Sequence, residues 1–250
     1  MTASSFVTAD GVVLPAVTAD EMREIDRIAI EETGPNLYQM MENAGRNLAS
    51  TAIESLGPDW RIESIVVLAG TGGNGGGGIG AARHLANRGG TVALVITDES
   101  RLGPVPAQQL GIYRGTDGDV LTPEDLANLD PSLIVDALIG YSLTGPPRGA
   151  ARDLIEWAES SEVRCLSLDV PSGVDSTTGE AEGVHINAVQ TMTLALPKTG
   201  LDVDAVGELV LADIGIQTEV YRRAGIEVPI GLFGEGLTVP IQPSGPPRLH

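Results

Sequence analysis

The apolar run Ser64-Ile-Val-Val-Leu-Ala69 leads straight into Gly70-Thr-Gly-Gly-Asn74-Gly-Gly-Gly-Gly78, and this junction constrains the fold most tightly. Each glycine costs roughly 0.5–1 kcal/mol relative to alanine in a regular element. The run is therefore expected to form a loop rather than part of a helix. Its physical use is close approach: backbone N–H groups reach a ligand with no Cβ in the way. Ile79-Gly-Ala-Ala-Arg-His-Leu-Ala86, which follows, has helical character. Strand, glycine loop and helix in that order make an anion cradle at a helix N-terminus. G-x-G-x-x-G spacings start at both Gly70 and Gly73, a weak match in so glycine-rich a tract. A flexible surface loop is the plainer alternative, and the flanking strand and helix argue against it.

Strand and helix patterns alternate along the chain. Strands are expected at 64–69, 92–97, 133–138, 164–169, 190–195 and 208–212, and helices near 79–88, 105–114, 148–160 and 217–224. Two helices come earlier. Thr18 caps the first, with Glu21 where a capping box needs it, and Met22, Ile25, Ile28 and Ala29 repeat at helical spacing. The second begins near Leu37 and runs through Met40-Met-Glu-Asn-Ala-Gly45 to about Leu56. Such alternation predicts an α/β fold, a parallel sheet with helices on both faces. A chain of 250 residues that is 42% apolar can bury one such core. Residues 1–228 are expected to form it as a single domain, and the Gly- and Pro-rich stretch 229–250 an irregular tail.

Aromatic residues are scarce, which leaves Val, Ile, Leu and Ala to fill the core. No apolar run reaches the length of a membrane span, and Met1-Thr-Ala-Ser-Ser-Phe6 lacks the basic and apolar regions of a signal peptide. A cytoplasmic setting is expected. The lone Cys165 excludes an intrachain disulfide and a cysteine zinc site, and reads as a small core residue. Three histidines, His84, His185 and His250, argue against a histidine-based zinc site. His84 is assigned to helix packing or solvent, and His185 has no assigned role.

Fifteen basic residues against 34 acidic ones give a net charge of −19, which disfavours nucleic acid and anionic membranes as partners. Lys198 is the only lysine. An acidic surface so poor in lysine suits concentrated salt, where repulsion is screened within about 3 Å. The one retained lysine then does what arginine cannot: it offers a compact ammonium beside a phosphate or carboxylate.

In an open α/β sheet the ligand lies beyond the carboxyl ends of the strands. Three loops there carry unusual chemistry. One is the glycine run. Another is Asp136-Ala-Leu-Ile-Gly-Tyr-Ser-Leu-Thr-Gly145-Pro-Pro, after Leu133-Ile-Val135. The third is Asp169-Val-Pro-Ser-Gly-Val-Asp175, after Cys165-Leu-Ser-Leu168. Either strand-tip aspartate alone would serve as a turn cap; three loops converging on one edge favour a site.

Together with Leu37…Met40-Met-Glu-Asn-Ala-Gly45 ahead and Leu194-Ala-Leu-Pro-Lys198 behind, these loops resemble the YjeF N-terminal-domain family over about residues 16–225. The resemblance implies a Rossmann-like three-layer αβα fold with a mostly parallel central sheet, frequently a homodimer. It also implies the activity of the NAD(P)H-hydrate epimerases, which interconvert the R and S forms of NADHX and NADPHX, the hydrated and damaged nicotinamide cofactors. The family's Asn-Asn-Gly-Gly-Asp substrate loop falls on Gly73, Asn74, Gly75, Gly76 and Gly77. A second substrate loop falls on Gly140, Tyr141, Ser142, Leu143, Thr144, Gly145 and Pro146, and the substrate-contacting aspartate on Asp169. Lys198 joins this set. The resemblance places a potassium ion on Asn74, Asp136 and Ser172, oxygen donors that suit a hard cation. Two positions depart from the pattern: Gly73 replaces an Asn and Gly77 replaces the Asp.

Epimerisation at a carbon bearing a hydroxyl beside a ring nitrogen needs loss of that hydroxyl, a cationic iminium and return of water. One carboxyl can protonate the leaving oxygen, take the proton back and stabilise the cation. Asp169 is the candidate for that acid/base role. Two other readings stay open. A non-catalytic member of the family, binding a nucleotide-like metabolite or a partner, would suit Gly77. An NAD-dependent oxidoreductase would need an acidic residue about 20 positions after its glycine loop, where Asp98 and Glu99 stand.

Overall fold

The computed structural model describes residues 5–245. Within them the strands are β1 (Ser5–Thr8), β2 (Val13–Pro15), β3 (Ser64–Ala69), β4 (Thr91–Ile96), β5 (Asp119–Leu121), β6 (Leu133–Ala137), β7 (Cys165–Leu168), β8 (Gln190–Leu194), β9 (Glu208–Ala212) and β10 (Thr238–Pro243). The α-helices are α1 (Ala19–Ile28), α2 (Leu37–Leu56), α3 (Gly73–Ala86), α4 (Pro104–Tyr113), α5 (Gly149–Ser160) and α6 (Thr218–Arg223). All strands join one sheet, in the order β2-β1-β10-β9-β8-β7-β6-β3-β4-β5. From β9 to β5 every pairing is parallel, while β10, β1 and β2 add an antiparallel flank.

Period-two alternation makes the layers. Along β3, Ile65, Val67 and Ala69 pack into the cluster that holds α2, α3 and α4, whereas Val66 and Leu68 pack with Leu154 and Ile155 of α5. The chain runs outward through β3, β4 and β5, then returns to the other side of β3 as β6. That reversal is a topological switch point, the place where doubly wound sheets take their ligands. The glycine run leaves β3 and Asp136 stands one residue before the end of β6, so two of the three chemical loops flank the switch.

Two expectations are corrected. The glycine run is not a loop: α3 begins at Gly73, and Gly73 to Gly78 form its first turns. Their helix propensity is poor, by about 4–5 kcal/mol over five glycines relative to alanine, but close packing requires them. A Cβ at Gly75 would fall 1.8 Å from the Gly70 carbonyl oxygen, and one at Gly78 would fall 2.4 Å from the Ala137 Cβ. Nor is the whole stretch after Pro229 irregular. Thr238–Pro243 forms β10 between β9 and β1; among the described residues after 228, 229–237 and 244–245 lack helix and strand. His250 lies outside the described residues. The pattern reading also passed over β1, β2 and β5, each of three or four residues. The other elements fall within a few residues of their expected bounds, and the Thr18–Glu21 capping box is formed.

Candidate active site at the strand tips

β7 ends in a tight backbone reversal. Asp169 has φ of 69°, and the Val170 N–H donates to the Leu168 carbonyl at 2.9 Å. The neighbouring β8 ends the same way, with Ala195 at φ 64° and the Leu196 N–H on the Leu194 carbonyl at 2.7 Å. Both are γ-turns of the rarer hand, a strained geometry for residues other than glycine. Strain of this kind marks functional positions. Here it turns Asp169 and the Leu194–Lys198 segment toward one cavity.

The Asp169 carboxylate pairs with the Lys198 ammonium through Oδ1, and its Oδ2 accepts the Tyr141 backbone N–H at 2.9 Å. Lys198 is 1% exposed and also donates to the Leu194 carbonyl at 2.8 Å and the Thr193 hydroxyl at 3.4 Å. All three ammonium protons are thus taken. Holding such a pair away from water demands this degree of satisfaction.

Asp136 is fully buried behind the cavity. It accepts from Ser167 Oγ (2.8 Å), Ser172 N (2.9 Å), Ser172 Oγ (2.6 Å) and Leu138 N (3.2 Å). Burial pushes its carboxyl above the usual range, against these hydrogen bonds, which favour the charged form. Ser172 Oγ in turn accepts the Ile139 N–H at 2.9 Å. The loops after β6 and β7 are therefore locked to each other. Asn74 stands beside them, its Oδ1 3.1 Å from where a Cβ on Gly140 would lie, and its buried amide nitrogen has no hydrogen-bond partner.

A cavity of about 240 Å³ collects these groups. Of the residues expected at the site, Gly73, Asn74, Gly140, Tyr141, Ser142, Asp169 and Lys198 line it. Gly75, Gly76 and Gly77 do not; they are buried where α3 packs, and a Cβ on Gly77 would meet the Leu168 Cδ2 at 2.8 Å. Leu143, Thr144, Gly145 and Pro146 lie outside the lining, the last three exposed. Asp136 and Ser172 sit behind it. Asp98 and Glu99 are spent elsewhere, on Ser100 and Arg114 respectively.

The lining also includes Leu37, Met40, Met41 and Leu194 from the two flanking motifs, and Met22, Asp26 and Ile214, which no motif singled out. Asp26 left one trace in the sequence. It stands four residues after Met22 and directly after Ile25, at the edge of the apolar face of α1. Its carboxylate accepts the Tyr141 hydroxyl at 2.6 Å, and burial pushes its pKa up despite that bond and the nearby Lys198. A groove of about 920 Å³ runs along β9 and β10. It is larger, but none of the strand-tip chemistry faces it.

His84 is half-buried on α3, bonded to Glu42 at 2.9 Å and away from the cavity. Among the described residues no group of three or more His, Cys, Asp or Glu side chains is placed to hold a metal, and no helix is long and apolar enough to cross a membrane.

A doubly wound α/β sheet with a compact cavity at its switch point, built from an ion-paired aspartate and a buried lysine, defines a small-molecule site of the Rossmann-like class. Sequence narrows this further: the chain belongs to the family described as YjeF-related protein N-terminus, whose model matches residues 37–200. It is 48% identical over 225 residues to the NAD(P)H-hydrate epimerase of Dehalogenimonas lykanthroporepellens, covering 90% of this chain and 92% of that protein. It is 36% identical to the bifunctional NAD(P)H-hydrate repair enzyme Nnr of Salinibacter ruber, over 86% of this chain but 43% of that protein. The crystal structure of yeast ynu0, YNL200c, matches with a TM-score of 0.81 at 24% identity, covering 91% of this chain and all of that one. That likeness establishes the Rossmann-like fold.

Proposed function

We propose that this chain is an NAD(P)H-hydrate epimerase, interconverting the R and S forms of NADHX and NADPHX in cofactor repair. The observation that carries this is the buried Asp169–Lys198 pair, presented by a strained strand tip to a cavity sized for one ring. Drug-sized ligands need roughly 300–1,000 Å³. A cavity of 240 Å³ suits a single ring such as the hydrated nicotinamide better than a whole dinucleotide. The exposed Thr144–Pro146 segment and the first turn of α3 lie at hand for the rest of the dinucleotide, the latter with the positive end of its helix dipole.

Asp169 is the acid/base. It gives a proton to the departing hydroxyl, faces the cationic iminium as a carboxylate, and takes a proton from the returning water. Lys198 holds it in place through their ion pair. The closeness to named epimerases along nearly the whole of one relative supports this reading. Gly77 packs against Leu168 outside the cavity lining, which weighs for catalysis over a binding-only protein.

A potassium ion belongs to the same proposal. Asn74, Asp136 and Ser172 offer an amide, a carboxylate and a hydroxyl oxygen, the hard donors such an ion takes. The unpartnered Asn74 amide fits as well, since a half-turn exchanges its nitrogen for its oxygen. The ion would supply positive charge that offsets the burial of Asp136. We further take the enzyme to be a cytoplasmic homodimer, which light scattering in molar KCl would check for the dimer.

The test uses a single purified epimer. (R)-NADHX mixed with the protein in KCl should equilibrate with the S form on the order of a hundredfold or more faster than without it. Absence of any acceleration by folded protein would reject the activity.

A further inference from the structure

Asp26 lines the same cavity as Asp169 and Lys198. Two backbone ties bring α1 there. Val17 pairs with Lys198 in a parallel bridge, its N–H on the Pro197 carbonyl at 2.9 Å and its carbonyl accepting the Thr199 N–H at 3.0 Å. The Ala19 N–H, at the first turn of α1, is held by Thr177 Oγ1 at 3.0 Å. The helix is therefore fixed to the loops that carry the acid/base pair.

Tyr141 joins the two carboxyl groups. Its backbone N–H donates to Asp169 Oδ2 at 2.9 Å, and its hydroxyl donates to Asp26 Oδ2 at 2.6 Å. One residue thus holds a carboxyl group at each end, kept apart by the length of its side chain. The titratable groups acting on this pair are Lys198 and Asp169 from the strand tips, Tyr221 from α6 and Arg23 from α1.

A single acid/base such as Asp169 serves both steps only by reaching both faces of the ring carbon, and a second group on the far side removes that demand. Water leaves one face of the ring carbon and returns to the other. On departure the C–O bond breaks with its electron pair going to oxygen, which accepts a proton, and the ring nitrogen lone pair closes the C=N bond. On return a water oxygen forms the new C–O bond at the opposite face. The nitrogen recovers its pair, and the spare proton passes to a base. We propose that Asp26, acting through the Tyr141 hydroxyl it orients, is the second proton-handling site and serves the face opposite Asp169. This rests on the epimerase reading. Tyr141 meets the water, and Asp26 is the positioning residue that accepts or returns its proton.

Oxygen exchange separates the two faces. A single NADHX epimer is incubated with the protein in H₂¹⁸O, and both ¹⁸O content and configuration are followed. Wild type should show exchange and inversion together. Asp26→Asn and Tyr141→Phe should keep ¹⁸O exchange into the starting epimer while inversion falls at least tenfold, and Asp26→Glu should restore part of it. Tyr141→Phe leaves the backbone bond to Asp169 intact, so it carries the test even if Asp26→Asn fails to fold. Equal loss of exchange and inversion in folded Tyr141→Phe, or loss of neither, would overturn the proposal. Wild type that neither exchanges nor inverts would refute the epimerase reading itself.

Discussion

Lys198 and Asp169 are buried together, and each leaves an uncompensated charge if the other is removed. Lys198→Ala should therefore cost about 3–5 kcal/mol in urea unfolding; a loss under 1 kcal/mol would mean that the pair is hydrated. Asp169→Asn is a gentler change. Asparagine tolerates positive φ nearly as well as aspartate, so the turn at 69° survives while the acid/base group is lost. The glycines of α3 divide by what a side chain would meet. Gly75→Ala collides with backbone and should abolish the native β3–α3 junction, whereas Gly77→Ala meets the tip of Leu168 and should cost about 1–3 kcal/mol. Gly77→Asp adds an unpartnered buried carboxylate. It should lower the melting temperature without raising epimerisation, and a gain in rate would show that position 77 does reach the substrate.

Helices α2, α3 and α4 are stitched by one cluster at their surface. Glu42 accepts from Arg83, His84 and Gln109. Burial opposes its charge, yet the bonds from Arg83 and Gln109 hold its carboxyl at about 2, down from 4.5. A depressed carboxylate contributes stability that is complete above its unfolded pKa and is lost as pH falls through the folded one. The gap in urea midpoint between wild type and Glu42→Gln should thus correspond to roughly 1 kcal/mol at neutral pH, given the partial exposure of Glu42. It should close between pH 4.5 and 2; a gap that persists to pH 2 would assign it to packing. Most of the sheet was legible at this scale, because its central strands are unbroken apolar runs. Helix α3 was misread because glycine propensity is local while its cause is not: the contacts that demand Gly75 and Gly78 come from Gly70 and from Ala137 in another strand. β10 was missed because Pro240 and Pro243 interrupt its apolar pattern. Asp26 was missed because its partner Tyr141 stands more than a hundred residues away. The strand-tip aspartates were legible because position alone, at the carboxyl end of a parallel strand, assigns them.

A net charge of −19 on 250 residues makes the whole molecule sensitive to ionic strength. Its surface ion pairs are almost all between Arg and Glu or Asp, and such exposed pairs contribute little each. Screening of the net repulsion should dominate: the melting temperature should rise steadily from low salt to molar KCl, and a flat or falling curve would contradict adaptation to salt. On the proposal that Asp169, at a strained tip of the sheet, epimerises hydrated nicotinamide cofactors, mixed NADHX epimers are incubated with an S-specific dehydratase in molar KCl, and nicotinamide absorbance is followed with wild type and with Asp169→Asn. The dehydratase alone consumes the S half quickly and leaves the R half to slow spontaneous conversion. Wild type should recover that half rapidly while folded Asp169→Asn leaves it at the spontaneous rate; equal recovery with both proteins, or none with wild type, would contradict the claim.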